Sequence, residues 1–200
     1  LVRLSISSFA IGLVFMQMPT TLGLAVKRAG YSDQVYGLVL GLNGLLIVLC
    51  EIPVSLFTRR RPAPAVITGG FLLIGIAGGL FAWANGAWEF ALAMCFLTAG
   101  EILSMPVALA YVASLAPPDQ RGRYLGVYSL VWAVALGCGP PLGMGLFSLA
   151  PSAVWLGCLG FGLAGAAIMN QAPPATASRA PEIRVAAAVD SGATGSLDPS

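Results

Sequence analysis

Histidine is absent from the chain. That removes Ser-His and Cys-His catalytic pairs, histidine-ligated metals and any histidine proton switch. No GxSxG stands in for them. Charge is scarce as well: Asp, Glu, Lys and Arg make up 9% of the 200 residues, against about 25% in an ordinary globular domain. No basic stripe lies on a polar face, which argues against a nucleic-acid partner. The four cysteines, Cys50, Cys95, Cys138 and Cys158, sit inside apolar runs without CxxC spacing. They read as small buried hydrophobes, not as disulfide partners or metal ligands. No cofactor or metal is called for.

What is present is apolar. Hydrophobic residues reach 58% and the mean hydropathy is +0.87, too much for one soluble core to hide. Six runs can be read off: Leu4–Val26, Val35–Thr58, Ala63–Trp83, Glu89–Leu115, Tyr124–Leu149 and Ala153–Met169. Each is near the ~20 residues that cross about 30 Å of hydrocarbon as a helix. Helix is the expected state, because an open strand in lipid leaves its backbone groups unpaired. The first run is too long for a signal peptide, whose apolar core spans about 7–15 residues. The chain starts at Leu1 and not at Met, as expected of a piece of something longer. The prediction is an all-α membrane protein. Residues 1–170 form a bundle of six transmembrane helices, and residues 171–200, rich in Ala, Pro, Ser and Thr, form a disordered cytoplasmic tail.

Alternate crossings place Arg3, Arg59, Arg60, Arg61, Arg121, Arg123, Arg179 and Arg184 on one side and only Lys27 and Arg28 on the other. The positive-inside bias then makes the first side cytoplasmic, which puts both termini in the cytoplasm and the chain, crossing several times, in the cell (plasma or inner) membrane. Tyr31, Tyr36, Trp83, Trp88 and Trp155 fall near the outer ends, as an interfacial belt would. Gly37/Gly41, Gly75/Gly79 and Gly139/Gly143 match GxxxG, a spacing that lets helix backbones approach closely.

Few residues could carry chemistry. Glu101 lies about twelve residues into the fourth run, roughly 18 Å from its start at 1.5 Å per residue, hence near mid-membrane. An acid there normally faces a cavity or a partner. Burial opposes its charged form, which suits a group that takes and releases a proton. Thr98 shares its face, and Pro106 frees the carbonyl of Ile102 beside it. The alternative is a protonated Glu bonded to a neighbouring helix. Glu51 shares a face with Asn43 and Ser55 and stands two residues before Pro53; it reads either as a pathway residue or as an ion-pair partner of Arg59 or Arg60. Gln17 and Pro19, followed by Thr20 and Thr21, interrupt the first run. Polar groups at such a break either build a substrate site or satisfy the freed backbone. Arg59, Arg60 and Arg61 are a topology anchor. Arg121 and Arg123 cap the end of the fourth span or meet Asp119.

Three segments then resemble the major facilitator superfamily, in particular the C-terminal half of its drug:proton antiporter branch. They are QMPTTLGLAVKRAGYSDQVYGLVLGLNGLLIVLCEIPVSLFTRRRP, GEILSMPVALAYVASLAP and APPDQRGRYLGVYSLVWAVALGCGPPLGMGLF. The resemblance implies two six-span halves, each of inverted three-helix repeats, with substrate bound between them. The family's loop motif, with an acid before the arginine, appears here as Thr58-Arg59-Arg60. Gly139-Pro140 resembles the antiporter Gly-Pro bend, placed in this half's equivalent helix.

The expectation is a secondary active transporter, proton-coupled, moving a small molecule by alternating access. Glu101, Glu51, Gln17, Asn43 and Thr98 would form the pathway, and Pro19, Pro53, Pro106 and Pro140 the helix breaks. Its partners would be the substrate, protons, the bilayer, and an N-terminal six-span half or a second copy. The rivals are a non-transporting membrane scaffold or receptor and, last, an intramembrane enzyme.

Overall fold

A computed structural model describes residues 1–171. Seven helices follow one another: α1 (Val2–Phe15), α2 (Thr21–Arg28), α3 (Asp33–Thr58), α4 (Ala63–Trp83), α5 (Ala87–Leu115), α6 (Arg121–Leu149) and α7 (Pro151–Asn170). Helices α3 to α7 are each long and apolar enough to cross a membrane. The first span differs from the continuous run. It is two helices of 14 and 8 residues, about 21 and 12 Å long at 1.5 Å per residue. Together they cover the hydrocarbon thickness, so the six crossings are five continuous helices and one jointed one. The expected tail beyond Gln171 lies outside the described residues.

The joint falls at Met16–Thr20 for a local reason. Pro19 has no N–H, and its ring crowds the carbonyl four residues back, that of Phe15. Phe15 O therefore accepts from Met18 N at 3.1 Å, and Gln17 N donates to Val14 O at 3.0 Å, both tightened turns. The next bond is wide, Leu22 N to Gln17 O at 2.9 Å. Pro53, Pro106 and Pro140, expected to break helices, instead lie inside continuous ones. In those helices each proline costs a ladder bond that the flanking turns survive. Of these four, only Pro19 falls at a joint.

The remaining turns have equally plain causes. Gly30, at φ +88°, ends α2 in a left-handed cap, with Tyr31 N donating to Val26 O at 3.2 Å; such a conformation favours glycine. Glu89 reaches back from the third residue of α5 to accept from the Asn85 and Gly86 amides at 2.6 and 3.1 Å, fixing the start of that helix.

Packing follows a pseudo-twofold pattern. Helix α5 packs on α3 and α4, and α1 packs correspondingly on α6 and α7, while α4 and α7 pack on each other. Exchanging α1–α4 with α5–α7 maps this arrangement onto itself. Because three crossings separate the two sets, the repeats are inverted. Small residues make the closest seams. A Cβ on Gly162 would overlap the Gly75 backbone between α7 and α4. One on Gly100 would stand 2.5 Å from Gly70 O between α5 and α4. Gly78 is similarly closed by Cys158 at 2.7 Å. Without bulk at these points the backbones approach, and dispersion contacts replace a hydrophobic drive that lipid cannot supply. The seam that Gly75 shares with Gly79 in sequence thus closes mainly through Gly75. Gly37 and Gly41 have nothing within 4 Å and pack no helix of this bundle.

Ile67, Phe71, Ile74 and Ala77 of α4 lie in the centre, with Phe90, Ala93, Met94 and Leu97 of α5 against them. Trp155 is buried there too, its ring 4.9 Å from Phe81, so it is a core residue and not part of an exposed belt. Trp83 and Trp88 remain exposed. By contrast α3 buries only Val39 and Thr58, and α6 buries only Tyr128, Ala135, Gly139 and Gly143.

Candidate functional site

A polar cluster bridges α3 and α5. Asn43 lies in the first half of α3, and Thr98 and Glu101 lie one helical turn apart on α5. Spacing of three residues brings the latter two onto one face. The Asn43 amide donates to Thr98 Oγ1 at 3.0 Å and to Glu101 Oε2 at 2.9 Å. Thr98 Oγ1 in turn donates to Met94 O at 2.8 Å. The Asn43 amide hydrogens are thereby both used, and the direction of each bond is fixed. Among the described residues no protein group bonds Glu101 Oε1, which leaves one oxygen open to a proton or a ligand.

The depth of this cluster follows from helix length. Glu101 is fourteen residues from either end of α5, about 21 Å each way, so its carboxyl cannot snorkel to either surface. Thr98 is fully buried, whereas Asn43 and Glu101 are half-buried. A carboxyl there is either neutral or held by donors, and Asn43 is such a donor from another helix. What the arrangement can do is couple a proton at Glu101 to the α3–α5 contact. Loading the carboxyl changes what Asn43 is bonded to.

The other expected pathway residues are elsewhere. Glu51 is exposed on α3, within electrostatic range of Glu101. Among the described residues it forms no ion pair with Arg59 or Arg60; the ion pair present there is Lys27–Asp33 at 2.9 Å. Gln17 is 96% buried in the joint of the first span. Its Nε2 donates to Leu13 O at 2.8 Å and to Gly139 O on α6 at 3.3 Å, and its Oε1 accepts from Thr21 at 3.0 Å. Thr20 bonds Met16 O at 2.5 Å, and Tyr36 of α3 donates to Met18 O at 3.1 Å. Side chains thus take over from the interrupted ladder. Gly139 and Gly143 of α6 make room, since a Cβ at the first would meet Met16 at 2.5 Å and one at the second would overlap the Gln17 amide.

Arg59, Arg60 and Arg61 close α3, Arg121 and Arg123 open α6, and all five are exposed. Neither Arg121 nor Arg123 pairs with Asp119 among the described residues. The sequence marks Tyr36 only as an interfacial residue, and it does not single out Ser104, which donates to Gly100 O at 2.6 Å. Nothing in their local pattern separates them from ordinary interfacial and helical residues. The described residues hold no cluster of metal-ligating side chains.

The comparisons with known proteins agree with this architecture. Residues 4–193 match the family model described as Major Facilitator Superfamily. A Na(+), Li(+), K(+)/H(+) antiporter of Planococcus maritimus is 26% identical over 52% of this chain and 24% of its own. Inner membrane transport protein YajR of Escherichia coli (strain K12) is 26% identical over 64% of this chain and 28% of its own. Multidrug resistance protein MdtH of Aeromonas hydrophila subsp. hydrophila is 30% identical over 67% of this chain and 34% of its own. The chain therefore spans about a quarter to a third of the length of these relatives. No solved structure matches it.

Proposed function

Because the chain belongs to the Major Facilitator Superfamily, whose members are transporters, we propose that it is the C-terminal six-helix half of a proton-coupled secondary transporter. It moves a small molecule across the membrane by alternating access. The antiporter and multidrug names among its relatives favour antiport and efflux. The observation that carries the reading is the bond from Asn43 to Glu101 at mid-membrane. A carboxyl at that depth is a functional group by default, and here its partner sits on a separate, weakly buried helix.

In this mechanism a charged Glu101 holds Asn43 and keeps α3 closed on α5. Protonation weakens that charge-assisted bond, worth roughly 1.5–3 kcal/mol, and releases the two helices to a second arrangement. The largely unburied faces of α3 and α6 meet an N-terminal six-span half or a second copy, with substrate between. Both termini and the arginine-rich loops lie in the cytoplasm, and Glu51 modulates the field at Glu101. The joint at Gln17 and Pro19 gives the first span its bend.

Glu101→Gln in the complete transporter, reconstituted into liposomes, tests this. It abolishes transport driven by a pH gradient while leaving substrate binding measurable. Unchanged coupling would reduce Glu101 to a structural acid and favour a scaffold or receptor.

A further inference from the structure

A cavity of about 340 Å³ opens at the end of the bundle opposite the arginine-rich turns, within the range of roughly 300–1,000 Å³ usual for ligand sites. Three elements meet around it: the end of α2 with Arg28 and Ala29, the end of α4 with Phe81 and Asn85, and the start of α7 with Ser152 and Trp155. Helix α2, the short limb of the jointed first span, packs on α3 and α6. The cavity is the gap between that limb and the α4–α7 pair.

Every polar side chain lining it can donate a hydrogen bond, and no acid is among them. Arg28 is exposed and, among the described residues, in no ion pair; the neighbouring Lys27 is the one held, by Asp33. No side chain caps α7, and Pro151 at its start has no N–H. The Ser152 amide that follows has no acceptor among the described residues, so the positive end of a 20-residue helix is left open here. Trp155 is an independent sign. It is only 5% exposed, yet its indole N–H has no acceptor among the described residues. The partnerless side-chain atoms sealed from solvent are the hydroxyls of Ser5, Ser7, Ser8 and Thr68. The Trp155 N–H is not one of them, so it keeps an opening, and the cavity that Trp155 lines is where it opens. Glu89, which bonds the Asn85 and Gly86 amides, lines a separate recess with Trp83 and Trp88. A positive rim beside the Phe81 and Trp155 rings suits an anion with an apolar body. A bare inorganic ion would leave that wall against water.

We propose that this cavity binds a small organic carboxylate, with the Arg28 guanidinium, the Ser152 amide and the Trp155 N–H as its donors. The site lies at the helix ends, away from mid-helix Glu101, and is independent of which solute is carried. The bound anion ties α2 to α4 and α7 and holds the first span in its present bend.

The full chain, purified in mild detergent, is titrated with benzoate and with its uncharged counterpart benzamide, and binding is followed by calorimetry. Benzoate binds saturably and benzamide does not. R28Q weakens benzoate by roughly tenfold or more, the usual loss of a bond between charged groups. Trp155→Phe, which keeps a ring and loses the N–H, weakens it less but measurably. R59Q/R61Q, at the opposite end, binds as the wild type does. Equal binding of benzamide, wild-type affinity in R28Q, or equal loss in R59Q/R61Q would each overturn the site. Tighter binding of inorganic phosphate than of benzoate would give the cavity to a bare oxyanion. Displacement of benzoate by phosphatidylglycerol added to the micelles would give it to a lipid, and either result overturns the carboxylate assignment.

Discussion

The Asn43 amide meets the Glu101 carboxyl at 2.9 Å across the seam between α3 and α5, with both side chains half-buried and Glu101 midway along its helix. The two residues are 58 positions apart in the chain. Thr98 shares the same donor. Asn43 thus joins two helices through a group whose charge can change.

Asn43→Ala removes the donor and leaves the carboxyl without its interhelical partner. A lost bond to a charged group is worth roughly 1.5–3 kcal/mol, so proton-driven uptake by the complete transporter falls at least about tenfold, while Asn43→Asp, which offers no amide hydrogen, fares no better. Thr98→Val, which removes only the second acceptor, has the smaller effect. Uptake by Asn43→Ala at the wild-type rate would separate the cluster from transport.

Gly143 and Gln17 behave as a coupled pair. Gly143→Ala drives a methyl into the Gln17 amide and destabilises by about 1–3 kcal/mol, the usual cost of overpacking. In a Gln17→Ala background the same change costs little, because the obstacle is gone. Thermal melting of the four variants in detergent gives the interaction energy directly. Additive losses would mean that α6 does not approach the joint as closely as the glycines allow.

Glycines in closed and open positions separate folding from assembly. Gly162→Val pushes α7 off the Gly75 backbone and lowers both the melting temperature and the yield in membranes. Gly41→Val meets nothing within 4 Å in this half, leaves the melting temperature unchanged, and impairs the complete transporter by obstructing whatever covers α3. Loss of stability in Gly41→Val would show that α3 packs differently.

On the proposed two-half arrangement, the 200-residue chain alone offers one wall of a transport pathway. Reconstituted as a strict monomer it shows no saturable uptake, and co-expression with a complementary six-span half restores it. Saturable uptake by the monomer would refute the two-half arrangement.

Much of the architecture could be read from the residues because hydrocarbon thickness leaves little freedom. Five spans begin and end within a few residues of their apolar runs, and Pro19 with Gln17 marked where the first one parts. The neighbours were harder to foresee. Asn43 could be placed on a helix face, and Thr98 on that of Glu101, but which helix α3 lies against depends on contacts across the whole bundle. The same holds for Gln17, whose partner Gly139 is 122 positions away. It also holds for Gly70 with Gly100, which share no spacing motif. Proline was misleading in the other direction. Pro53, Pro106 and Pro140 carry the same local penalty as Pro19, yet only at Pro19 do Gln17, Thr20 and Tyr36 supply a complete alternative set of bonds.

The backbone contact between Gly75 and Gly162 leaves α4 and α7 no clearance to slide or tilt against each other without collision. Together they act as a keel. In the first span, at Met16–Thr20, side-chain bonds stand in for part of the helical ladder and can be exchanged one at a time. Any bending of the first span therefore has a knuckle a few residues long at which to occur, against a spine that has little room to give.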